Sequence, residues 1–186
     1  GFLGSRIVKL LKENGVENVI VPRSDSCDLR ISENCTRITK DVDIVFHAAG
    51  NVGGIGYNKD HPASVFFDNI MMDTLMMEES RKNGVEKFIA IGTVCSYPKF
   101  TPVPFSEEQI WEGYPEETNA SYGLSKKMMM VQSDAYRQQY NFKSMVLVQT
   151  NLYGPKDNFD PNTSHVIPAL IKKIYDAKVS GKSEIE

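Results

Sequence analysis

The feature that most limits this chain is its alternation of short β-branched runs with longer stretches of helical period. Residues 3–14 (LGSRIVKLLKEN) place apolar side chains at helical spacing and stop at Gly15, a good residue just past a helix end. Residues 19–21 read as a short buried strand closed by Pro22, and 42–46 (VDIVF) as a second strand running into HAAG. A long helix from about 62 to 83 is stopped by Gly84, and a third strand over 88–91 ends at Gly92. Residues 121–140 predict another long helix, 145–148 a fourth strand, and about 165–177 a last helix. Such alternation implies right-handed crossovers and a parallel sheet covered on both faces, a doubly wound, Rossmann-like α/β fold. Ligands of these sheets bind beyond the carboxyl ends of the strands. The segments of interest are therefore 22–26, 47–54, 92–98 and 149–155, all rich in Gly, Ser, Thr, Asn or Pro.

A doubly wound sheet starts on a strand, whereas this chain starts on a glycine turn and closes in VSGKSEIE soon after a helix. The expectation is one dinucleotide-binding domain over 1–186, truncated at both ends and lacking its first strand. The formal net charge of −3 provides no electrostatic pull toward nucleic acid or a membrane surface. No apolar run approaches the roughly 18 residues that span a bilayer. Three cysteines, Cys27, Cys35 and Cys95, show no metal-ligand spacing, so no metal is expected. Their odd number argues against a disulfide framework and makes a reducing cytoplasm the default. An opening on GFLG without an initiator methionine leaves room for a lost leader.

Gly1 and Gly4 stand like the last two glycines of a dinucleotide turn, one for backbone approach to a pyrophosphate and one for close helix–sheet packing. A plain glycine turn satisfies the same residues. Past the second run, VIVPRSDS carries Arg23 where guanidinium suits the extra phosphate of NADP. A solvated loop arginine is the other reading, and Asp25 or Asp28 remains available for a ribose. Tyr122 and Lys126 form a Tyr-x-x-x-Lys pair on one helix face. An ammonium near a phenol favours phenolate, so the pair predicts a lowered tyrosine pKa and an acid/base for a sugar hydroxyl or carbonyl. A tyrosine packed at a helix start is the plain alternative. Seven methionines, Met71, Met72, Met76, Met77, Met128, Met129 and Met130, lie on the two long helices, and core packing is expected for about half of them.

Taken together, the residues GFLG, AAGNVGGI (48–55), CSYPK (95–99), EETNASYGLSK (116–126), RQQY (137–140) and TNLYGPKDNFDPNTSHVIPALI (150–171) resemble the extended short-chain dehydrogenase/reductase family. The likeness covers nearly the whole chain and is closest to the branch that epimerises and reduces nucleotide sugars. It implies an N-terminal NAD(P)-binding domain, with a smaller substrate domain beginning near 155–186. It implies that Tyr122 protonates the C4 oxygen, that Lys126 lowers its pKa and holds the nicotinamide ribose, and that Thr93 hydrogen-bonds the reacting oxygen. Cys95 and His165 would move the protons at C3 and C5. Cofactor contacts would come from Gly1, Phe2, Leu3, Gly4, Arg23, Ala48, Ala49, Gly50, Ile91, Gly92, Lys126, Gln149, Asn151, Leu152 and His165. Substrate contacts would come from Asn151 and Lys173. The implied cofactor is NADP, with NAD the lesser option, and the implied assembly is a homodimer pairing helices 62–83 and 121–140.

The chain departs from that branch at Gln149 (usually proline), Thr93 (more often serine), Lys173 (arginine), His47 and Gly50-Asn51. Thr93 keeps the hydroxyl, but Lys173 loses bidentate phosphate geometry and opens the question of which nucleotide sugar fits. A nucleotide-sugar 4-epimerase or 4,6-dehydratase with bound NAD shares Tyr122, Lys126 and Thr93. A dehydratase, however, calls for an acidic pair where this chain has Val94-Cys95. A dinucleotide-binding scaffold without turnover is the remaining alternative.

Overall fold

A computed structural model describes residues 1–160, 163–182 and 184. Pro161 and Asn162 of the 150–171 stretch, and Ser183, Ile185 and Glu186 of the closing VSGKSEIE, lie outside the described residues. Three parallel strands, β1 (Ile44–His47), β2 (Lys87–Ile91) and β3 (Ser144–Leu147), pair in the order β1-β2-β3. Val45 faces Phe88 across the first ladder, and Ile89 faces Met145 across the second. The β1–β2 crossover runs through α3 (Ile55–Asp60) and α4 (Pro62–Lys82), and the β2–β3 crossover through α5 (Ala120–Tyr140). Helices α4 and α5 pack side by side, and α2 (Ser32–Thr39) lies against α4. Two further helices, α1 (Phe2–Glu13) and α6 (Val166–Val179), stand toward the chain ends.

The sheet and the two long helices form because their patterns bury what water disfavours. Phe88 and Ala90 alternate inward on β2 and meet Met76, Met77, Met129 and Phe142, with Cys27, Leu29 and Cys35 closing the α2 side. Burial pushes the Cys35 thiol up to about 12. Met76, Met77, Met129 and Met130 are buried and Met128 is exposed, so the methionines divide between packing and surface. Gly15 and Gly84 end α1 and α4 at φ of +84° and +74°, a conformation that only glycine adopts without strain.

Two expectations change. Residues 19–21 do not form a strand: Ile20 and Val21 are 62% and 51% exposed, and no described residue hydrogen-bonds their backbone. An extended apolar run becomes a strand only where a neighbouring backbone pairs its N–H and C=O groups. Helices α2 (SENCTRIT) and α3 (IGYNKD) were not expected, because each is short, polar and without an apolar stripe. The remaining α-helices and strands fall within two residues of the sequence reading.

Candidate active site

Helix α5 enters the site through a carboxylate. One oxygen of Glu116 accepts from the backbone N–H groups of Thr118 (3.1 Å) and Asn119 (3.2 Å) and from the Asn119 side chain (3.1 Å), so it braces the turn that starts the helix. Asn58 of α3 donates to Asn119 at 3.0 Å and ties the same turn to the loop after β1. Tyr122 follows in the first turn of α5, and Lys126 lies one turn later on the same face.

Opposite that first turn sits the segment after β2. Thr93 accepts a hydrogen bond from the Cys95 N–H (3.1 Å) and thereby caps a short 3-10 turn, Val94–Ser96. The Ser96 hydroxyl donates to the Gly123 carbonyl at 2.9 Å. A Cβ on Gly123 would lie 2.2 Å from the Cys95 carbonyl oxygen, so only glycine admits this approach. The Val94 N–H also donates to Gln149 O (3.1 Å), which laces the turn to the loop after β3. Gly123, next to Tyr122, thus packs on the turn that Thr93 caps and that carries Cys95.

The ammonium of Lys126 pairs with α4. It donates to Asp73 Oδ1 at 2.9 Å, and His47 Nε2 meets the same oxygen at 2.8 Å. All three side chains are only 1–2% exposed. Burial raises the Tyr122 phenol well above its ordinary range, and Cys95 and Asp73 act in the same direction. The lowered tyrosine pKa expected from the Tyr-x-x-x-Lys pair is therefore not found in this state. A buried ammonium binds the nearest carboxylate, and here that carboxylate is Asp73.

The residues fit a dinucleotide at the strand ends. Gly1 and Gly4 stand at the N-terminus of α1, whose first N–H groups have no partner within the helix and suit an anion. Phe2 rests against Gly154 of the loop after β3, at 3.7 Å from that glycine's missing Cβ. Arg6 bonds the Pro155 carbonyl of the same loop. Gly50 has no side chain where a Cβ would come within 3.3 Å of Asn69 Oδ1 and 3.9 Å of Lys126 Nζ. Arg23 is exposed in the turn after 19–21, while Asp28 is held by Arg30 at 2.7 Å. Arg30 also reaches Asp68 at 2.8 Å, and Asn51 donates to Asp68 at 2.9 Å, so the loop after β1 is pinned to α4.

The other expected residues have different settings. Ala48, Ala49, Ile91, Gln149, Asn151 and Leu152 lie at or just beyond the carboxyl ends of β1, β2 and β3, and Gly92 packs tightly against Val146 and Met130. His165 precedes α6 and is exposed, and its neighbour Ser164 packs its carbonyl against Gly54. Among the described residues His165 and Cys95 share no hydrogen bond. Lys173 lies on the exposed part of α6, away from the α5 corner in sequence and element. Asp73 is the residue that sequence reasoning missed. Its signal is present: Val65, Asn69, Asp73, Met76 and Ser80 form the buried stripe of α4, with a carboxylate in its middle. No helix among the described residues is long and apolar enough to cross a membrane. No described group of three or more His, Cys, Asp or Glu side chains is placed to hold a metal ion.

Among the described residues a parallel three-stranded sheet carries the Tyr-x-x-x-Lys helix against the turn of its central strand, as in a dinucleotide-binding fold, and the chain belongs to the NAD dependent epimerase/dehydratase family, matched over residues 1–185. It is 38% identical over 181 residues to a GDP-L-fucose synthase of Sinorhizobium fredii, covering 96% of this chain and 57% of that protein. Among solved structures it resembles a GDP-mannoheptose C4 reductase of Campylobacter jejuni with NADP bound (TM-score 0.89, 29% identity, 96% of this chain and 54% of that one). It also resembles a GDP-L-fucose synthetase of Naegleria fowleri bound to NADP (TM-score 0.87, 26% identity, 100% and 62%). The chain spans a little over half the length of the curated relative it matches.

Proposed function

We propose that the protein is an NADP-dependent nucleotide-sugar epimerase/reductase that converts GDP-4-keto-6-deoxy-D-mannose to GDP-L-fucose by 3,5-epimerisation and 4-keto reduction. The observation that carries this reading is the contact of α5 with the turn after β2. The bare Cα of Gly123 against Cys95 gathers an acid, a hydroxyl and a thiol in one corner. The family membership and the fucose-synthase relative support the substrate class.

In this reading a ketone at C4 acidifies the protons at C3 and C5, and inversion needs a base on one face and an acid on the other. Cys95 and His165 supply that pair. Tyr122, which burial keeps protonated, then gives its proton to the C4 oxygen while Thr93 hydrogen-bonds the same atom. NADPH, when bound, supplies the hydride. Gly1, Phe2, Leu3 and Gly4 present the α1 N-terminus to its pyrophosphate. Ala48, Ala49, Gly50, Ile91, Gly92, Lys126, Gln149, Asn151, Leu152 and His165 complete its binding edge. Arg23 takes the extra phosphate, a choice supported by its exposure and by the commitment of Asp28 to Arg30. Asn151 and Lys173 are assigned to the nucleotide sugar. The same reading makes the protein cytoplasmic and a homodimer through α4 and α5, which leave Phe66, Phe67, Met128 and Val131 exposed.

The test is NADPH oxidation by full-length protein given the 4-keto-6-deoxymannose nucleotide. Absence of oxidation overturns the reading. A second reading, 4-keto reduction without epimerisation, is favoured by the likeness to a C4 reductase. Product formed in heavy water separates the two. Deuterium at C3 and C5 that disappears in Cys95→Ser supports epimerisation, and its absence from the wild-type product supports the simple reductase.

A further inference from the structure

The loop after β1 carries Gly50, Gly53 and Gly54, yet one residue between them is held at all four of its polar groups. The backbone of Asn51 is clamped by Asn69, a fully buried residue of α4. Asn69 Oδ1 accepts the Asn51 N–H at 3.0 Å, and Asn69 Nδ2 donates to the Asn51 carbonyl at 2.8 Å. The same Nδ2 donates to the Val65 carbonyl at 2.6 Å, so a reversed amide would set acceptor against acceptor. The Asn51 side chain is engaged as fully. Its Nδ2 donates to Asp68 Oδ2 of α4 at 2.9 Å, and the Tyr57 hydroxyl of α3 donates to its Oδ1 at 2.9 Å. Arg30, 2.8 Å from the other oxygen of Asp68, holds that carboxylate in place. Next to Asn51, Gly50 carries the loop past α5: a Cβ there would lie 3.3 Å from Asn69 Oδ1 and 3.9 Å from Lys126 Nζ.

We propose that Asn51 is a positioning residue that sets the loop after β1 beside the Lys126 ammonium before NADPH binds. The inference rests on the reading of Ala48, Ala49, Gly50 and Lys126 as part of the cofactor edge. A glycine-rich loop left to itself samples many conformations, and a cofactor that needs one of them binds more weakly the less that one is populated. The bonds on Asn51 select the conformation within the fold, so binding does not have to order it. A carboxamide suits the place, because it offers a donor to the Asp68 carboxylate and an acceptor to the Tyr57 phenol on one short stem. Asn51 is also a position at which this chain departs from the branch it resembles, so the lock belongs to this chain's own loop.

The test is NADPH binding to the full-length protein without sugar nucleotide, read by quenching of protein fluorescence, together with amide hydrogen exchange before cofactor is added. N51A is expected to bind NADPH about tenfold more weakly, as for a loop competent about a tenth of the time. Its amides over 50–54 are expected to exchange faster while its melting temperature holds. N51D, which sets a second carboxylate against Asp68, is expected to bind at least as weakly as N51A. In N51D/D68N donor and acceptor change places, and binding is expected to recover above that of N51D. Binding and exchange in N51A equal to wild type overturn the proposal, and so does a double variant no better than N51D. A lowered melting temperature with protection lost across α4 and the sheet alike assigns Asn51 to stability alone and also overturns it. Wild type that fails to bind NADPH removes the cofactor reading and the proposal with it. Wild type that binds NADPH no better than N51A removes the proposal only.

Discussion

At Gly123 a methyl group would stand 2.2 Å from the Cys95 carbonyl oxygen, and both partners are backbone, so no rotamer relieves the clash. Gly123→Ala is expected to push α5 off the turn, stretch the Ser96–Gly123 bond and carry Tyr122 away from Thr93. The expected cost is about 1–3 kcal/mol of stability from overpacking, with a fall in the proposed keto reduction by the full-length protein on the order of 100-fold from misplacement. Thermal melting and steady-state rates on the same preparation check both numbers, and a wild-type rate in the variant would remove this contact from the mechanism. The residue scale also shows what a pattern leaves out. Tyr122 and Lys126 were legible from their spacing, since i and i+4 share a helix face. The partner of Lys126 was not, because Asp73 is 53 residues away in the chain and reaches the ammonium only once α4 lies against α5.

The seam between α4 and α5 is clamped at its far end by charge. Glu78 accepts from Arg81 (2.9 Å) and from the Tyr136 hydroxyl (2.8 Å), and Arg81 lies 4.2 Å from the centre of the Tyr140 ring. The hydrogen bonds from Arg81, more than any other cause, hold the Glu78 carboxyl at about 2 against an ordinary 4.5. A carboxyl depressed in the fold stabilises it fully above the unfolded value, and that contribution fades as pH falls from about 4.5 toward about 2. Glu78 is 24% exposed, so solvent screening leaves a contribution on the order of 1 kcal/mol. Wild type should therefore lose melting temperature across this window. Glu78→Gln should start lower at neutral pH and slope less, and parallel slopes would mean the clamp contributes nothing. Both long helices were legible from their period and their stop glycines. The short α2 and α3 were not, since neither carries an apolar stripe and both pack against the longer α4.

For the molecule as a whole, α4 and α5 bury one stripe against the sheet and each other yet keep Phe67 and Val131 at 56% and 47% exposure. If these helices pair with a second copy, Phe67→Glu combined with Val131→Glu should convert the full-length dimer to monomer by light scattering. A variant that stays dimeric moves the interface elsewhere. The sequence alone determined the class of fold, because hydrophobic period, chain-stopping glycines and β-branched runs act over a few residues and need no partner. It also marked the Tyr122 and Lys126 positions on one face of α5 and the loops that follow the strand ends. Tertiary structure decided everything that depends on a distant neighbour. Residues 19–21 stay outside the sheet because no described backbone pairs with them, and Gly123 is required because another loop presses on it. The Lys126 ammonium finds its carboxylate partner, Asp73, 53 residues away in the chain because only the packing of α4 against α5 brings the two buried charges together.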